Sequence, residues 1–353
     1  MNLSTATCVA ALLLPIIVGT GEDTPSFAPE EGSTLTVTFE QKSNGELVEN
    51  ELSFLVNGEE SEGLEQEELE ISRSFTESIS FTDEIIAIDD GTPTHVSRTF
   101  DEISMSSTEE TINSEGDDFE SENEQKSSLE GVTVEFVWDE DDEGYSKSSE
   151  DEDVEDVMLD RLELTGHLVE LLPDDDASEG DEWKVDAAVF GKLVYPGGSL
   201  SYYYVDEDGD ELGEQDEDEI ARKDDWDEQY GENFEGDISL VHNGTREEDG
   251  VTLLVIGIEI DVETSVEQEE EISFEIDDEP GDGTITKTYS FAMELEGELL
   301  WNPELGHAVS LTFAGDNELE YEEAQDMPGD SVHLEITTVQ LFEGTAEYSY
   351  TFE

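Results

Sequence analysis

The sequence predicts a mainly β fold: one large curved antiparallel sheet, a half-barrel or a sandwich, with one or two helices packed against it. Three observations lead there. Many stretches alternate apolar and polar residues with period two, as strands with one buried and one wet face do. The clearest, "TITKTYSFAMELEGELLW", keeps Ile285, Tyr289, Phe291, Met293, Leu295, Leu299 and Trp301 on one face, with mostly Thr, Ser and Glu opposite. From Ile285 to Trp301 it runs 17 residues, against a usual strand length of about 5–6. It therefore either bends at Gly297 or belongs to a long curled sheet. The third observation is a single change of period over 154–172, where Val154, Val157, Met158, Leu162, Leu168, Val169 and Leu172 form a helical stripe.

The elements follow in order. Residues 1–21 read as a signal peptide: Ala10 to Val18 is an apolar core, and the small residues Gly19 to Gly21 place cleavage near Gly21. No Lys or Arg precedes that core, and a buried first strand is the other reading. The core is too short to span a bilayer as a helix. Cys8 is the single cysteine, so removal of this segment leaves no thiol for disulfides, catalysis or metals. A flexible leader occupies 22–33. The strand "TLTVTFEQ" then places Leu35, Val37 and Phe39 on one face, Asn44-Gly45 signals a hairpin turn, and "ELSFLVNG" returns. "EISRSFTESISF" and "THVSRTFDEISM" alternate likewise. Thr108 to Ser128 is acidic and Ser-rich, and reads as a helix, a loop or a disordered insert.

"GVTVEFVW" aligns Val132, Val134, Phe136 and Trp138. The helix near 154–172 starts in acidic residues, which its dipole favours, and stops at Pro173. "EWKVDAAVFGKLVYPGG" leads into the strand "SLSYYYVD", and 216–233 reads as a second short helix. From Phe234 the chain is strand after strand, with "NPELGH" as a turn. The division is a β-rich lobe over 34–200 and an antiparallel β lobe over 201–353, or one continuous domain. The concave face of such a sheet needs filling, by a helix, a second sheet or a ligand; 154–172 is the internal candidate. No short repeat recurs, which argues against a solenoid or propeller.

Charge narrows the function classes. Asp and Glu number 100 against 12 Lys and Arg, a formal net charge of -88. The organised strands favour a folded protein in concentrated salt over a disordered chain. Nucleic acid and anionic membrane surfaces, which need basic patches, are excluded as general partners.

Few motifs carry chemistry. In "WDEDDEGYSKSSE", Asp139, Asp141, Glu143 and Glu150 stand at positions 1, 3, 5 and 12 of a calcium-loop pattern, with Gly144 at position 6. They are the candidate Ca2+ ligands. Glu143 is long for position 5, Ser146 replaces an aliphatic residue, and a strand rather than a helix precedes. The competing reading is a solvated connector from strand to helix. In a second cluster Asp206, Asp208 and Asp210 keep the spacing, but Glu211 stands where Gly is needed, so a hairpin at Asp208-Gly209 fits better. His95, His167, His242, His307 and His333 show no metal-ligand pairing. With 100 carboxylates, spacing singles out no glycosidase pair. Asn243-Gly-Thr is a sequon, more simply read as a hairpin turn; Trp138 and Trp301 fall on apolar strand faces.

The segments "LVELLPDDDASEGDEWKVDA" and "LEGELLWNPELGHAVSLTFAG" resemble a group of uncharacterised exported bacterial proteins, several from planctomycete-like organisms, over roughly residues 130 to 320. The resemblance implies a secreted, sheet-rich protein with the curled half-barrel of lipoprotein-carrier-like folds. It gives Gly180, Asp181 and Trp183 structural roles, as a turn and an aromatic anchor, and implies no activity. The expected function is a non-catalytic exported or cell-surface protein that binds a hydrophobic ligand in the curved sheet or serves as an envelope component. The alternatives are a calcium-dependent surface adhesin and an extracellular carboxylate-based hydrolase.

Overall fold

The structure is a computed structural model, and it describes residues 27–60, 69–89, 91–113, 118–140, 144–151, 154–173, 176–205, 233–276, 279–328 and 333–353. The elements are β1 (Thr34–Val56), β2 (Glu59–Glu60), β3 (Glu70–Asp89), β4 (Thr92–Ile112), β5 (Asp118–Ser127), β6 (Thr133–Asp139) and β7 (Gly144–Ser149). There follow α1 (Asp156–Asp160), a 3-10 turn (Val169–Leu171), β8 (Glu182–Val185), α2 (Val189–Val194) and β9 (Tyr202–Val205). The chain closes with β10 (Glu235–Glu248), β11 (Val251–Ile276), β12 (Glu279–Asn302), β13 (His307–Pro328) and β14 (His333–Phe352).

All fourteen named strands belong to one sheet, in the order β7-β6-β4-β3-β1-β14-β13-β12-β11-β10-β8, with β2 on β1 and β5 joining β4 to β9. The sheet is antiparallel and open, not closed into a barrel, and it is not a sandwich. β1 pairs with β14 from Val37↔Phe352 to Val56↔Leu334, so the stretches 34–200 and 201–353 share a single sheet.

The alternation read in the sequence decides which face is inside. In β12, Leu295, Leu299 and Trp301 are buried and Tyr289, Phe291 and Met293 half-buried. β11 contributes Leu254, Ile256, Ile258, Ile260 and Val262 to the same core. Inside lies the segment 156–200. Its Phe190 meets Phe313 of β13, Tyr348 of β14 and Phe234. Tyr350 of β14 donates to the Leu193 carbonyl at 2.7 Å, and Trp183 of β8 donates to that of Leu171 at 3.1 Å. One short segment thus touches strands that lie far apart in the sheet order, so the sheet wraps around it.

Glycines let the strands close up. Gly297 faces Phe313, Gly315 faces Leu295, and Gly344 faces both Asn317 and Gly45, a row crossing β12, β13, β14 and β1. A Cβ on Gly297 would lie 2.1 Å from the Thr312 carbonyl oxygen, one on Gly315 2.1 Å from that of Glu294, and one on Gly344 1.8 Å from that of Asn44. Gly297 therefore marks a close approach within a curled strand.

Several expectations are corrected. Asn44-Gly45 makes no turn: it lies mid-strand in β1, where Gly45 meets Gly344. The hairpin turn is Asn57-Gly58, whose φ values of 55° and 76° suit a primed turn. Asn243-Gly244 is a bulge within β10, and the turn follows at Asp249-Gly250. Thr108 to Ser128 carries the end of β4 and the whole of β5, paired from Ser104↔Lys126 to Ile112↔Asp118. The helix expected over 154–172 is only α1 and the 3-10 turn. Between them the Glu163 and Thr165 carbonyls accept hydrogen bonds from Arg98 rather than closing helical turns. Gly166 and Leu168 take φ of 98° and 58°, and a Cβ on Gly166 would press to 2.9 Å on the Phe81 ring. The signal peptide, residues 22–26 of the leader and the stretch 216–232 of the expected second helix lie outside the described residues.

The outer face is stacked with like charges. Glu259 faces Glu296, Asp261 faces Glu294, Glu294 faces Asp316, and Glu343 faces both Glu318 and Glu46; all are exposed. Directly opposed Cβ atoms lie about 4.5–5.5 Å apart, and each such pair is destabilising. Screening over about 3 Å at 1 M salt removes most of that repulsion, whereas about 30 Å at 0.01 M leaves it intact. Urea midpoints should therefore rise steeply with KCl from about 0.01 to 1 M; a midpoint indifferent to salt would contradict the register. Gly297→Val and Gly344→Val should each cost about 1–3 kcal/mol by overpacking, measured by urea unfolding in 1 M KCl. Wild-type stability in either would show that the close approach is not needed.

Candidate functional site: an apolar trough on the inner face

Period two puts every second side chain of β3 and β4 inside, and not all of these are apolar. On β3 the inward series runs through Arg73, Phe75, Glu77, Ile79, Phe81, Asp83 and Ile85; on β4 it includes Val96, Arg98 and Phe100. Arg98 and Asp83 are fully buried. Arg98 Nε and Nη2 donate to the two carboxylate oxygens of Asp83 at 2.7 and 2.8 Å. Its Nη1 and Nη2 also reach the carbonyls of Glu163 at 3.2 Å and Thr165 at 3.0 Å. The guanidinium carbon lies 3.7 Å from the Phe81 ring centroid. His167 Nε2 stands 2.7 Å from Asp83 Oδ2, and its ring stacks on Phe27 at 5.1 Å.

Burial alone would push the Asp83 carboxyl up. The Arg98 charge and its hydrogen bonds, with His167, outweigh burial and lower it from 3.8 to about 2. The cluster is sealed from solvent and ties β3 and β4 to the inner segment, so its role is structural. Sequence reasoning missed it. The available signal was an Arg at the same parity as Val96 and Phe100, a buried charge in need of a partner.

Among the described residues the filling stops beyond α2, but the strands continue. There the inner face holds a trough of about 510 Å3, within the roughly 300–1,000 Å3 of small-molecule sites. Phe190, Val194 and Tyr195 of the α2 region and Phe234 form one wall. Phe75 of β3, Phe291 and Met293 of β12, Leu319 of β13 and Phe342 of β14 supply the apolar lining, over a depression at Gly45 and Gly344. Phe75, Phe291, Met293 and Leu319 are only half-buried, so the lining is open to a guest. Tyr348, also in the lining, has its phenol pushed up by burial and then by Glu77, which keeps it neutral.

The polar part of the lining is mostly uncharged: Gln41, Ser43, Asn44, Ser107, Thr108, Asn123 and Asn317. Its charged pair is Arg73 and Glu109, joined from Nε to Oε2 at 2.7 Å, with the guanidinium 4.2 Å above the Phe342 ring. Asn317 Oδ1 is buried and has no hydrogen-bond partner among the described residues.

The calcium-loop residues do not converge as far as they are described. Asp139 ends β6, paired with Gly144, whereas Glu150 follows Ser149, which pairs with Val134 at the other end of the hairpin. The connector therefore links strand to strand, not strand to helix, and positions 1 and 12 lie at opposite ends of it. Asp141, Glu143 and the second acidic cluster, Asp206 to Glu219, lie outside the described residues. Among the described residues no group of three or more His, Cys, Asp or Glu is arranged to hold a metal ion.

The histidines are scattered: His95 pairs with Glu135 at 2.6 Å and His333 with Asp326 at 2.5 Å, while His242 is buried in β10. Trp301 is fully buried, but Trp138 is 38% exposed. It sits past the last β4 partner of β6, edge-on to Tyr145 at 5.2 Å. Gly180 takes a φ of 94° in a turn in which Asp181 Oδ2 accepts from the Ser178 N–H. Trp183 anchors β8 to Leu171.

No family model matches the chain, and no curated protein matches it. Among solved structures it aligns with the P. putida toluene transporter TodX over 94% of its own length and 92% of that chain, at 9% identity and a TM-score of 0.10. A score this low carries no argument about fold or function.

Arg98→Met should cost about 3–5 kcal/mol by leaving the Asp83 charge buried and unpaired, and Asp83→Leu with Arg98→Met should recover much of it. Because the folded Asp83 pKa is lowered to about 2, the pair's contribution is complete above the unfolded value near 3.8 and fades as pH falls towards 2. Urea melts of wild type and double variant should therefore converge over that window. A single variant as stable as wild type would contradict the assignment.

Proposed function

We propose that this is a non-catalytic exported or cell-surface protein that holds a hydrophobic ligand in the inner-face trough. The observation that carries the reading is the open apolar lining of about 510 Å3 beside α2. Exposed apolar area of that kind is costly in water unless something occupies it. Most of the residues that line it come from β1, β3, β4, β5, β12, β13 and β14, strands of one sheet, which suits a preformed site rather than one built on loops. Support for export is the apolar stretch Ala10 to Val18 with its small-residue boundary. The extreme acidity fits a salt-rich exterior, and the resemblance to exported, lipoprotein-carrier-like half-barrels points the same way.

The test uses N-phenyl-1-naphthylamine, whose fluorescence rises in apolar surroundings, in 1 M KCl. Wild type should take up the probe. Leu319→Trp, which fills the trough, should weaken uptake at least about tenfold, or about 1.4 kcal/mol, with the far-ultraviolet circular dichroism unchanged. No uptake by folded wild type would sink the reading.

A further inference from the structure

The trough's polar lining says more about its guest than its apolar lining does. This step rests on the ligand-binding reading above. Asn317 projects from β13 into the depression left by Gly344 and Gly45, which face it across β14 and β1 without side chains. Its Oδ1 is buried and lacks a partner among the described residues, a state that costs free energy until a donor arrives. The charges of the lining are already engaged: Arg73 Nε is bound to Glu109, and its guanidinium lies flat over Phe342. An anion placed there would sit beside Glu109, in a chain of net charge -88. A cation would find its nearest lining carboxylate already paired.

We propose that the trough takes a non-ionic amphipath: an apolar chain over Phe75, Phe291, Leu319 and Phe342, and a hydroxyl or amide head hydrogen-bonded to the Asn317 side chain. A hydroxyl both donates and accepts, so it satisfies the amide whichever end is presented. A carboxylate only accepts, and a quaternary ammonium does neither. The head group is thus selected by an uncharged amide at the trough floor, and anionic acyl chains are discriminated against.

Displacement of N-phenyl-1-naphthylamine in 1 M KCl at pH 8 tests this with three ligands of equal chain length: 1-decanol, decanoate and decyltrimethylammonium. Decanol should displace the probe at a concentration at least tenfold lower than either ion. Desolvation alone would favour the alcohol to some extent, so the Asn317 variants decide. Asn317→Leu should still take up the probe but lose at least fivefold of the decanol preference. If Asn317→Leu fails to take up the probe, Asn317→Ser and Asn317→Ala decide instead, the preference being kept by the first and lost by the second. Equal or tighter binding of decanoate or decyltrimethylammonium, or a preference that survives in Asn317→Leu or Asn317→Ala, would overturn the head-group assignment while leaving the trough as an apolar site. Absence of probe uptake by wild type would end both.

Discussion

The architecture rests on a mismatch of length. Strands β1, β3, β4 and β11 to β14 each run 20 residues or more, and where the core lies against them buried and exposed residues alternate. The segment between α1 and β9 fills only part of the inner face they create. Where it lies, the core is complete: Phe39, Phe81, Phe100, Phe136 and Trp301 are all fully buried. Where it ends, at α2, the inward side chains of β3, β12 and β13 become half-buried. The trough follows from that ending, because a pleated strand cannot stop presenting one face inwards while its neighbours remain paired.

Holding the filling segment in place needs direction as well as apolar area. The hydrophobic effect is non-directional, whereas Arg98 supplies fixed donors to Asp83 and to the Glu163 and Thr165 carbonyls. Those carbonyls are thereby kept out of a helix, and Gly166 allows the chain to pass over Phe81. In a chain with 12 basic residues, placing one of them in the core is a choice of position over net charge. The carboxylates sort the other way. They stand opposite one another on the outer face, a register that screening by concentrated salt makes less costly.

Much of the fold was legible because it is written in local periodicity. The faces of β1, β3, β4, β6 and β12 follow from alternation alone, and so does the curl implied by a strand running through Gly297. Local signals failed where a distant partner overrode them. Asn44-Gly45 has the composition of a turn, yet the fold uses the glycine's missing side chain rather than its backbone freedom, in register with Gly344. The stripe over 154–172 has helical spacing, but Arg98, more than 60 residues upstream, takes its carbonyls. Trp138 keeps the inward parity and is exposed because β4 ends its pairing at His95↔Val137. A concave face in need of filling could be expected, but the residues of the trough could not be read, since Gly45, Arg73, Phe291, Asn317 and Phe342 meet only through the sheet order. Asn317 carries no sequence signal beyond its inward parity on β13.

The central claim is that the described residues leave part of the sheet's inner face empty and apolar. Diffraction from crystals soaked in 1-bromodecane tests it most directly, by the anomalous signal of bromine. The account predicts a bromine peak between Phe75, Phe291, Leu319 and Phe342, with the strands unmoved. A trough closed by these same side chains, with no bromine there, would contradict it.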